Sequence, residues 1–330
     1  MLSPLLATLH HADVRRLAWA IGSPSLFDAH HPDWQGRLRD DTWSQRELAR
    51  CHDWLIELDR DPIRRQVLLD ALGDPAIATP LGHTFEKLVL FWQAARPDVR
   101  AATRGLIVRD NQRTVGEFDI VLLRHDGVIE TLEVTVKYYL NLRPDLGMPG
   151  CIGPRSFDRM AEKYAKMTTR QTDLGHTEAG RAAIVRWLAT LDCAPGNADT
   201  LVVDSHAIAR GYVFHSAEGD ACPTELSPSH ARGRWQTDAL PLPDEGGKTP
   251  PWRLLAGREW LGPYRGSAAN SGWPNDPAMP LLMARLEASD SSAGNASYQE
   301  VERRFVVRAD AGLFNSFDTP AASAAAATSA

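Results

Sequence analysis

The chain has 330 residues, 43% hydrophobic and 24% charged, with a formal net charge of −6; this is the composition of a globular protein with a sizeable core, not of a disordered or fibrous one. The acidic balance excludes a protein that coats nucleic acid indiscriminately, while leaving room for a local cationic groove. No run approaches the ~18 apolar residues of a membrane-spanning helix. The opening Met1-Leu2-Ser3-Pro4 lacks a basic region and soon meets His10, His11, Asp13, Arg15 and Arg16, so no secretory leader and a cytoplasmic location are expected.

Residues 1–75 read as a helical N-terminal region packed on the core. Leu5, Leu6 and Leu9, then Val14, Leu17 and Ala18, fit helical faces, and 43–58 supplies another, with a Pro-, Asp- and His-rich loop over 22–37. A helix is expected from Thr79-Pro80, with Thr79 as N-cap, through Phe85, Leu88, Val89 and Trp92 to a stop at Pro97. Strand-like runs come next at 106–109, 115–123 and 128–140, then a Gly/Pro-rich passage over 144–154 and an amphipathic helix over 155–171. Residues 201–203 and 211–214 read as short strands, 222–247 as loop, and 252–255 with 259–261 as a last strand region. The core with its C-terminal elaboration therefore spans 76–318, and the Ala/Ser/Thr-only end predicts a disordered tail over 319–330. No repeat of fixed period points to a solenoid or propeller.

The chemistry-bearing pattern lies in two neighbouring strands. Alternate strand residues share a face, so Glu117 and Asp119 project together, as do Glu133, Thr135 and Lys137, with apolar residues on the opposite faces. Whether the charged faces coincide depends on the turn. A two-residue Asp126-Gly127 hairpin puts Asp119 and Glu133 on opposite sides of the sheet. A three-residue His125-Asp126-Gly127 loop pairs Arg124 with Val128, and then Asp119 faces Glu133, Glu117 faces Thr135 and Val115 faces Lys137. A type I turn closed by a left-handed residue wants Gly last, which favours the three-residue loop.

Opposed Cβ atoms lie only ~4.5–5.5 Å apart, so two half-buried carboxylates need a proton or a cation between them. Oxygen ligands suit Mg²⁺ or Mn²⁺. Asp119 and Glu133 are thus candidate metal ligands, with Lys137 available to orient a water and offset phosphate charge, and Glu117 and Thr135 in support. Glu86 borders the Leu81/Phe85/Leu88/Trp92 stripe, roughly 100° around the helix from Phe85, and can reach towards a sheet beneath that helix.

On the helix over 155–171, Arg155, Arg159, Lys163, Lys166 and Arg170 fall within roughly 80° of one another, opposite Phe157, Met160, Ala161, Tyr164 and Met167. Such a cationic face can track a phosphate backbone; an ordinary solvated face, flanked by Asp158 and Glu162, is the competing reading. The four cysteines, Cys51, Cys151, Cys193 and Cys222, show no CxxC pair and no His at metal-ligand spacing, which predicts reduced thiols and neither a disulfide framework nor a zinc site. The adjacent pairs His10-His11 and His30-His31 point in different directions on a helix, and no GxGxxG, Walker A, HExxH or GxSxG motif is present.

Leu81-Gly82 with Phe85-Glu86, Gly116-Glu117-Phe118-Asp119, and Glu133 to Lys137 with Tyr138-Tyr139-Leu140 together resemble a bacterial family known as a numbered domain of unknown function and assigned to the PD-(D/E)XK, restriction-endonuclease-like, nuclease superfamily. Gly153-Pro154, Asp158-Arg159, Gln171, Arg210-Gly211-Tyr212-Val213-Phe214, Gly233-Arg234-Trp235 and Trp252 through Trp260-Leu261-Gly262-Pro263 extend the likeness over about 80–264. The resemblance implies an α/β fold: an αβββαβ core whose mixed sheet is flanked by helices, with a helical N-terminal extension. It implies Asp119 and Glu133 as metal ligands, Lys137 as catalytic lysine, Glu86 on the first helix, and Gln171 beside the cationic residues that contact nucleic acid. The implied cofactor is Mg²⁺ or Mn²⁺ and the implied partner is nucleic acid, DNA ahead of RNA, with no membrane. One departure stands out. The superfamily's usual acid position, two residues before the lysine, holds Thr135, and Glu133 lies a further ~6.8 Å along the strand. A catalytically inactive nucleic-acid-binding or protein-interaction module that kept the fold is the alternative implied by that departure.

Overall fold

The computed structural model of the chain describes residues 2–111, 113–191, 200–216, 221–237, 251–268, 280–289 and 297–307. Cys193, the end of the expected 222–247 loop and the expected tail over 319–330 lie outside them. Among the described residues no helix is long and apolar enough to cross a membrane.

The first third is helical: α1 (Leu2–Thr8), α2 (Ala12–Gly22), α3 (Asp41–Arg50), α4 (His52–Arg60) and α5 (Pro62–Leu72). Local chemistry starts several of them. The Asp40 carboxylate accepts from Trp43 N at the head of α3, and Asp61 accepts from Ile63 N and Arg64 N at the head of α5, where Pro62 occupies the first helical position. The stretch 43–58 is broken into two helices at Cys51. The next helix, α6 (Leu81–Ala94), begins later than expected, with Pro80 at the cap and no capping side chain, so Thr79 is not its N-cap.

Among the described residues ten strands form one mixed sheet, in the order β1-β2-β3-β5-β6-β10-β9-β7, with β4 on β3 and β8 on β10. They are β1 (Val99–Asp110), β2 (Arg113–Arg124), β3 (Ile129–Asn141), β4 (Cys151–Ile152), β5 (Val203–His215), β6 (Ala231–Thr237), β7 (Trp252–Leu254), β8 (Arg265–Gly266), β9 (Leu281–Ser289) and β10 (Ser297–Val307). The central pairs β3–β5, β5–β6 and β6–β10 are parallel; the remaining pairs are antiparallel. The expected fragments at 201–203 and 211–214 are one 13-residue strand, β5, and a strand, β6, runs through the expected loop over 222–247. Residues 259–261 lie at a 3₁₀ turn (Gly257–Trp260) instead of a strand.

The β2–β3 connection is the three-residue loop. Arg124 N donates to Val128 O at 2.9 Å, Gly127 N donates to Arg124 O at 3.1 Å, and Gly127 takes φ +86°, a conformation that costs glycine little. The ladder then runs from Leu123↔Ile129 to Ile120↔Leu132 and stops. Beyond it β2 stays with β1 alone, so Glu117 faces Ile107 of β1. The expected pairings of Glu117 with Thr135 and of Val115 with Lys137 do not form, because the strands have parted.

Helices cover both faces of the sheet. Phe85, Leu88, Val89 and Trp92 of α6, with the α1–α5 interior, bury one face that includes Ile120, Leu132, Val134 and Val136. On the other face lie α7 (Met160–Lys166), packing Met160 and Tyr164 against Tyr139, Ala207 and Ala209, and α8 (Glu178–Ala189), packing Ile184 and Trp187 against Val121, Leu123 and Ile129. The helix expected over 155–171 starts only at Met160 and ends in a π-turn over Met167–Gln171. Arg155 and Arg159 therefore precede it, and Phe157, expected on its apolar side, is 74% exposed.

Candidate metal centre

Where β2 leaves β3, Asp119 takes the place of a backbone partner. Its Oδ2 accepts the Val134 N–H at 2.8 Å, and its charge acts on the neighbouring Glu133 carboxyl group. Glu133 is 5% exposed. Burial, and then the neighbouring Asp119 charge, raise its pKa well above the usual carboxylate range; burial likewise raises Asp119, against the pull of the Val134 N–H and of Lys163. Two neighbouring carboxyl groups whose pKa values are both raised favour a proton or a cation between them.

The cation at this pair is Lys163, not Lys137. Lys163 Nζ donates to Glu133 Oε1 at 2.9 Å and to Gln171 Oε1 at 3.1 Å. The π-turn explains the second contact. On a regular helix Gln171 would sit roughly 80° from Lys163, but a π-turn absorbs an extra residue and returns it to the same side. The sequence carries a signal for Lys163, which lies beside Tyr164 and three residues past Met160, at the border of the buried stripe. A border lysine can turn inward as well as outward.

Lys137 sits four residues along β3 from Glu133, roughly 13 Å, and its Nζ is 2.6 Å from Asp158 Oδ2. This pair lines a 680 Å³ cleft with Leu81, Arg155, Phe157 and Trp260. The cleft borders the stretch of β3 between the end of the β2 ladder at Leu132 and the start of the β4 ladder at Leu140.

Glu86 approaches from α6. Burial and the Asp119 charge raise its pKa, with smaller opposing effects from His83 and Arg104; Arg104 Nη1 lies 3.2 Å from its Oε2. The structure thus brings Asp119, Glu133 and Lys163 together with Gln171, sets Glu86 within electrostatic reach, and keeps Lys137 apart. Glu117 is exposed and Thr135 buried; Lys166, Arg170 and Arg155 are exposed. The donor set fits a hard divalent cation. Glu133 Oε1 and Asp119 Oδ2 are engaged, which leaves one oxygen of each carboxyl group for the proton or for a metal.

Fold and site together define a mixed α/β protein whose sheet, of ten strands among the described residues, splits beside a buried Glu133 and a half-buried Asp119. The chain belongs to the family described as a domain of unknown function (DUF1853), which matches residues 15–307. No curated protein and no solved structure matches it.

Proposed function

We propose that the chain is a Mg²⁺- or Mn²⁺-dependent phosphodiesterase acting on nucleic acid, DNA ahead of RNA, built on a restriction-endonuclease-like core. The observation that carries this reading is the pair Asp119–Glu133: a buried Glu133 whose ionisation the Asp119 charge opposes, beside a half-buried Asp119. Such a pair is a liability in a merely structural role and becomes favourable when a divalent cation replaces the shared proton.

Asp119 and Glu133 would hold the ion, which when bound supplies Lewis acidity to a phosphate and makes water easier to deprotonate. Lys163, fixed by Glu133 and Gln171, offsets charge on the phosphate and holds a proton close to the attacking water. Glu86, its pKa raised by burial and the Asp119 charge, would accept a proton from the water. In hydrolysis the water oxygen bonds to phosphorus, the phosphorus–oxygen ester bond breaks, and the leaving oxygen takes up a proton. Lys166, Arg170 and Arg155 supply sequence-independent contacts to phosphates.

Incubation of plasmid DNA with the chain and Mn²⁺ tests this. Nicking is expected for the parent and not for Asp119→Ala or in EDTA. Absence of metal-dependent cleavage of single- or double-stranded DNA or RNA overturns it. Thr135 at the usual acid position, together with Lys137 bound to Asp158, favours a second reading: a non-cleaving nucleic-acid-binding module on the same fold. That reading expects DNA binding that survives Asp119→Ala.

A further inference from the structure

A second group of ligating side chains meets at the far end of the sheet. His215 is the last residue of β5, Cys222 lies on the connection that comes after it, and His230 immediately precedes β6. One ligand atom from each lies within 4.8 Å of the other two, and His215 Nε2 is 3.9 Å from Cys222 Sγ. The spacing, six and then seven intervening residues, matches no short zinc motif, which is why no zinc site is expected from the sequence. The structure brings the three together because parallel β5 and β6 pair Phe214 with Gly233 and His215 with Arg234, which returns the connection to its own starting point.

His230 is the informative member. It is 4% exposed, and its Nδ1 lies 2.6 Å from the Ser227 carbonyl. A carbonyl accepts only, so Nδ1 carries the hydrogen and Nε2 the lone pair. That Nε2 is buried and has no hydrogen-bond partner among the described residues. An imidazole held by a carbonyl through one nitrogen, with a bare lone pair on the other, is how metal-ligating histidines are oriented. At Cys222, Arg232 Nη2 donates to Sγ at 3.3 Å. Asn141 Nδ2 lies 3.4 Å from His215 Nδ1; an amide N–H only donates, so a metal at His215 Nε2 requires that long contact to give way and the ring hydrogen to move to Nδ1.

We propose that His215, Cys222 and His230 form a zinc site that staples the β5–β6 connection. Two imidazoles and a thiolate are the donor set of a borderline-soft cation such as Zn²⁺, not of Mg²⁺. Tetrahedral bonding at about 2.0–2.3 Å sets neighbouring ligand atoms roughly 3.4–3.6 Å apart, against 3.9 Å between His215 Nε2 and Cys222 Sγ here. With three protein ligands, the fourth position is open to water. This centre is separate from the carboxylate pair. Asn141, beside His215, lies eight residues along β3 from Glu133, roughly 26 Å of strand.

The test uses the full chain purified without a metal-chelating column. Elemental analysis is expected to find roughly one zinc per chain. After removal by a chelator, titration with Co²⁺ should produce a thiolate-to-cobalt charge-transfer band and the intense visible bands of a tetrahedral ion. Cys222→Ser should abolish the charge-transfer band, and His230→Ala should lower the zinc content at least about tenfold, while Asp119→Asn leaves both unchanged. A chain without zinc whose Co²⁺ titration gives no thiolate band overturns the proposal, and that titration of the parent decides the matter even if a variant fails to fold. Loss of both signals in Asp119→Asn also overturns it, because the metal would then belong to the carboxylate centre.

Discussion

Glu133 is a carboxyl group with almost no access to water, with the Asp119 charge beside it and Lys163 Nζ on its Oε1. If this conflict exists to hold a cation, relieving it should separate stability from activity. In Asp119→Asn the amide oxygen still accepts the Val134 N–H and the amide nitrogen can donate to Glu133, which then ionises against Lys163. The metal-free variant should be more stable by about 1 kcal/mol, raising Tm by roughly 1–2 °C, while metal-dependent cleavage falls at least about 100-fold. A lowered Tm in calorimetry would mean that the two acids do not oppose one another. The two lysines separate in the same way: Lys163→Ala should cut kcat about 100-fold, and Lys137→Ala, whose partner is Asp158, by roughly tenfold or less. Equal losses would return the catalytic role to Lys137. A third residue, His206 on β5, reports on pH. Burial, then nearby Arg39, lowers its pKa to about 4, so between pH 6.5 and 4 the unfolded chain binds a proton that the folded chain refuses. Its contribution to stability is therefore present above pH 6.5 and lost as pH falls towards 4, by at most about 3 kcal/mol at ~1.4 kcal/mol per pH unit. Urea titrations at pH 7.5 and 5 should show a smaller pH effect in His206→Asn than in the parent; identical differences would refute this.

At the level of elements, the central strands depend on how closely β3 and β5 approach. Gly211 faces Lys137 across the parallel ladder with φ +142°, and a Cβ there would stand 1.7 Å from the Lys137 carbonyl oxygen. Backbone cannot yield as a side-chain tip can. Gly211→Ala should therefore destabilise the chain by at least about 3 kcal/mol, seen as a fall in the urea midpoint or as loss of soluble protein. A neutral result would show that the strands can spread. This strand also marks what the sequence could convey. The β2–β3 register was legible because Gly127 suits the last, left-handed place of a three-residue loop, although Asp126-Gly127 also suits a two-residue hairpin; with that loop came the meeting of Asp119 and Glu133. The 13-residue extent of β5 was not, since a central strand buried on both faces loses the alternation that marks strands at a surface. Arg210 interrupts its apolar run, yet is fully buried, with its guanidinium on the Ala20 and Ile21 carbonyls and Ser44 Oγ. Those partners lie at least 166 positions away, and no local pattern announces them. Lys163 was read on the cationic face for a related reason: periodicity locates a border residue, but the π-turn and the tilt of α7 decide which way it turns. The cluster of His215, Cys222 and His230 was invisible because strand pairing, not spacing, assembles it.

Over the whole molecule, 36 Lys and Arg stand against 42 Asp and Glu, and many cations are already committed. Arg96 and Arg124 bind Glu130 and Asp98, Arg303 binds Glu300, and Lys137 and Lys163 bind Asp158 and Glu133. The five-residue cationic line expected from the sequence is thereby divided: Lys163 turns into the site, and Arg155 and Arg159 precede the helix. Exposed Lys166 and Arg170 remain on the outer side of α7 and its π-turn, with Arg155 at the mouth of the cleft. Binding to nucleic acid through three such residues releases about three counterions, so log K should fall against log salt with a slope of about −2.7 on duplex DNA. Replacing Lys166 and Arg170 together by Ala should flatten that slope by about 1.8, weaken binding alike for unrelated sequences, and leave unfolding unchanged. Asp119→Asn should leave the slope as it is, because the carboxylate pair lies inside the sheet split and releases no phosphate counterion. Fluorescence anisotropy of labelled duplexes across a salt series measures all three slopes. A slope that ignores both cations would move the nucleic-acid surface elsewhere on the molecule, and a salt-independent affinity would remove it altogether, because an acidic protein can hold a polyanion only where its fixed cations displace the polymer's own.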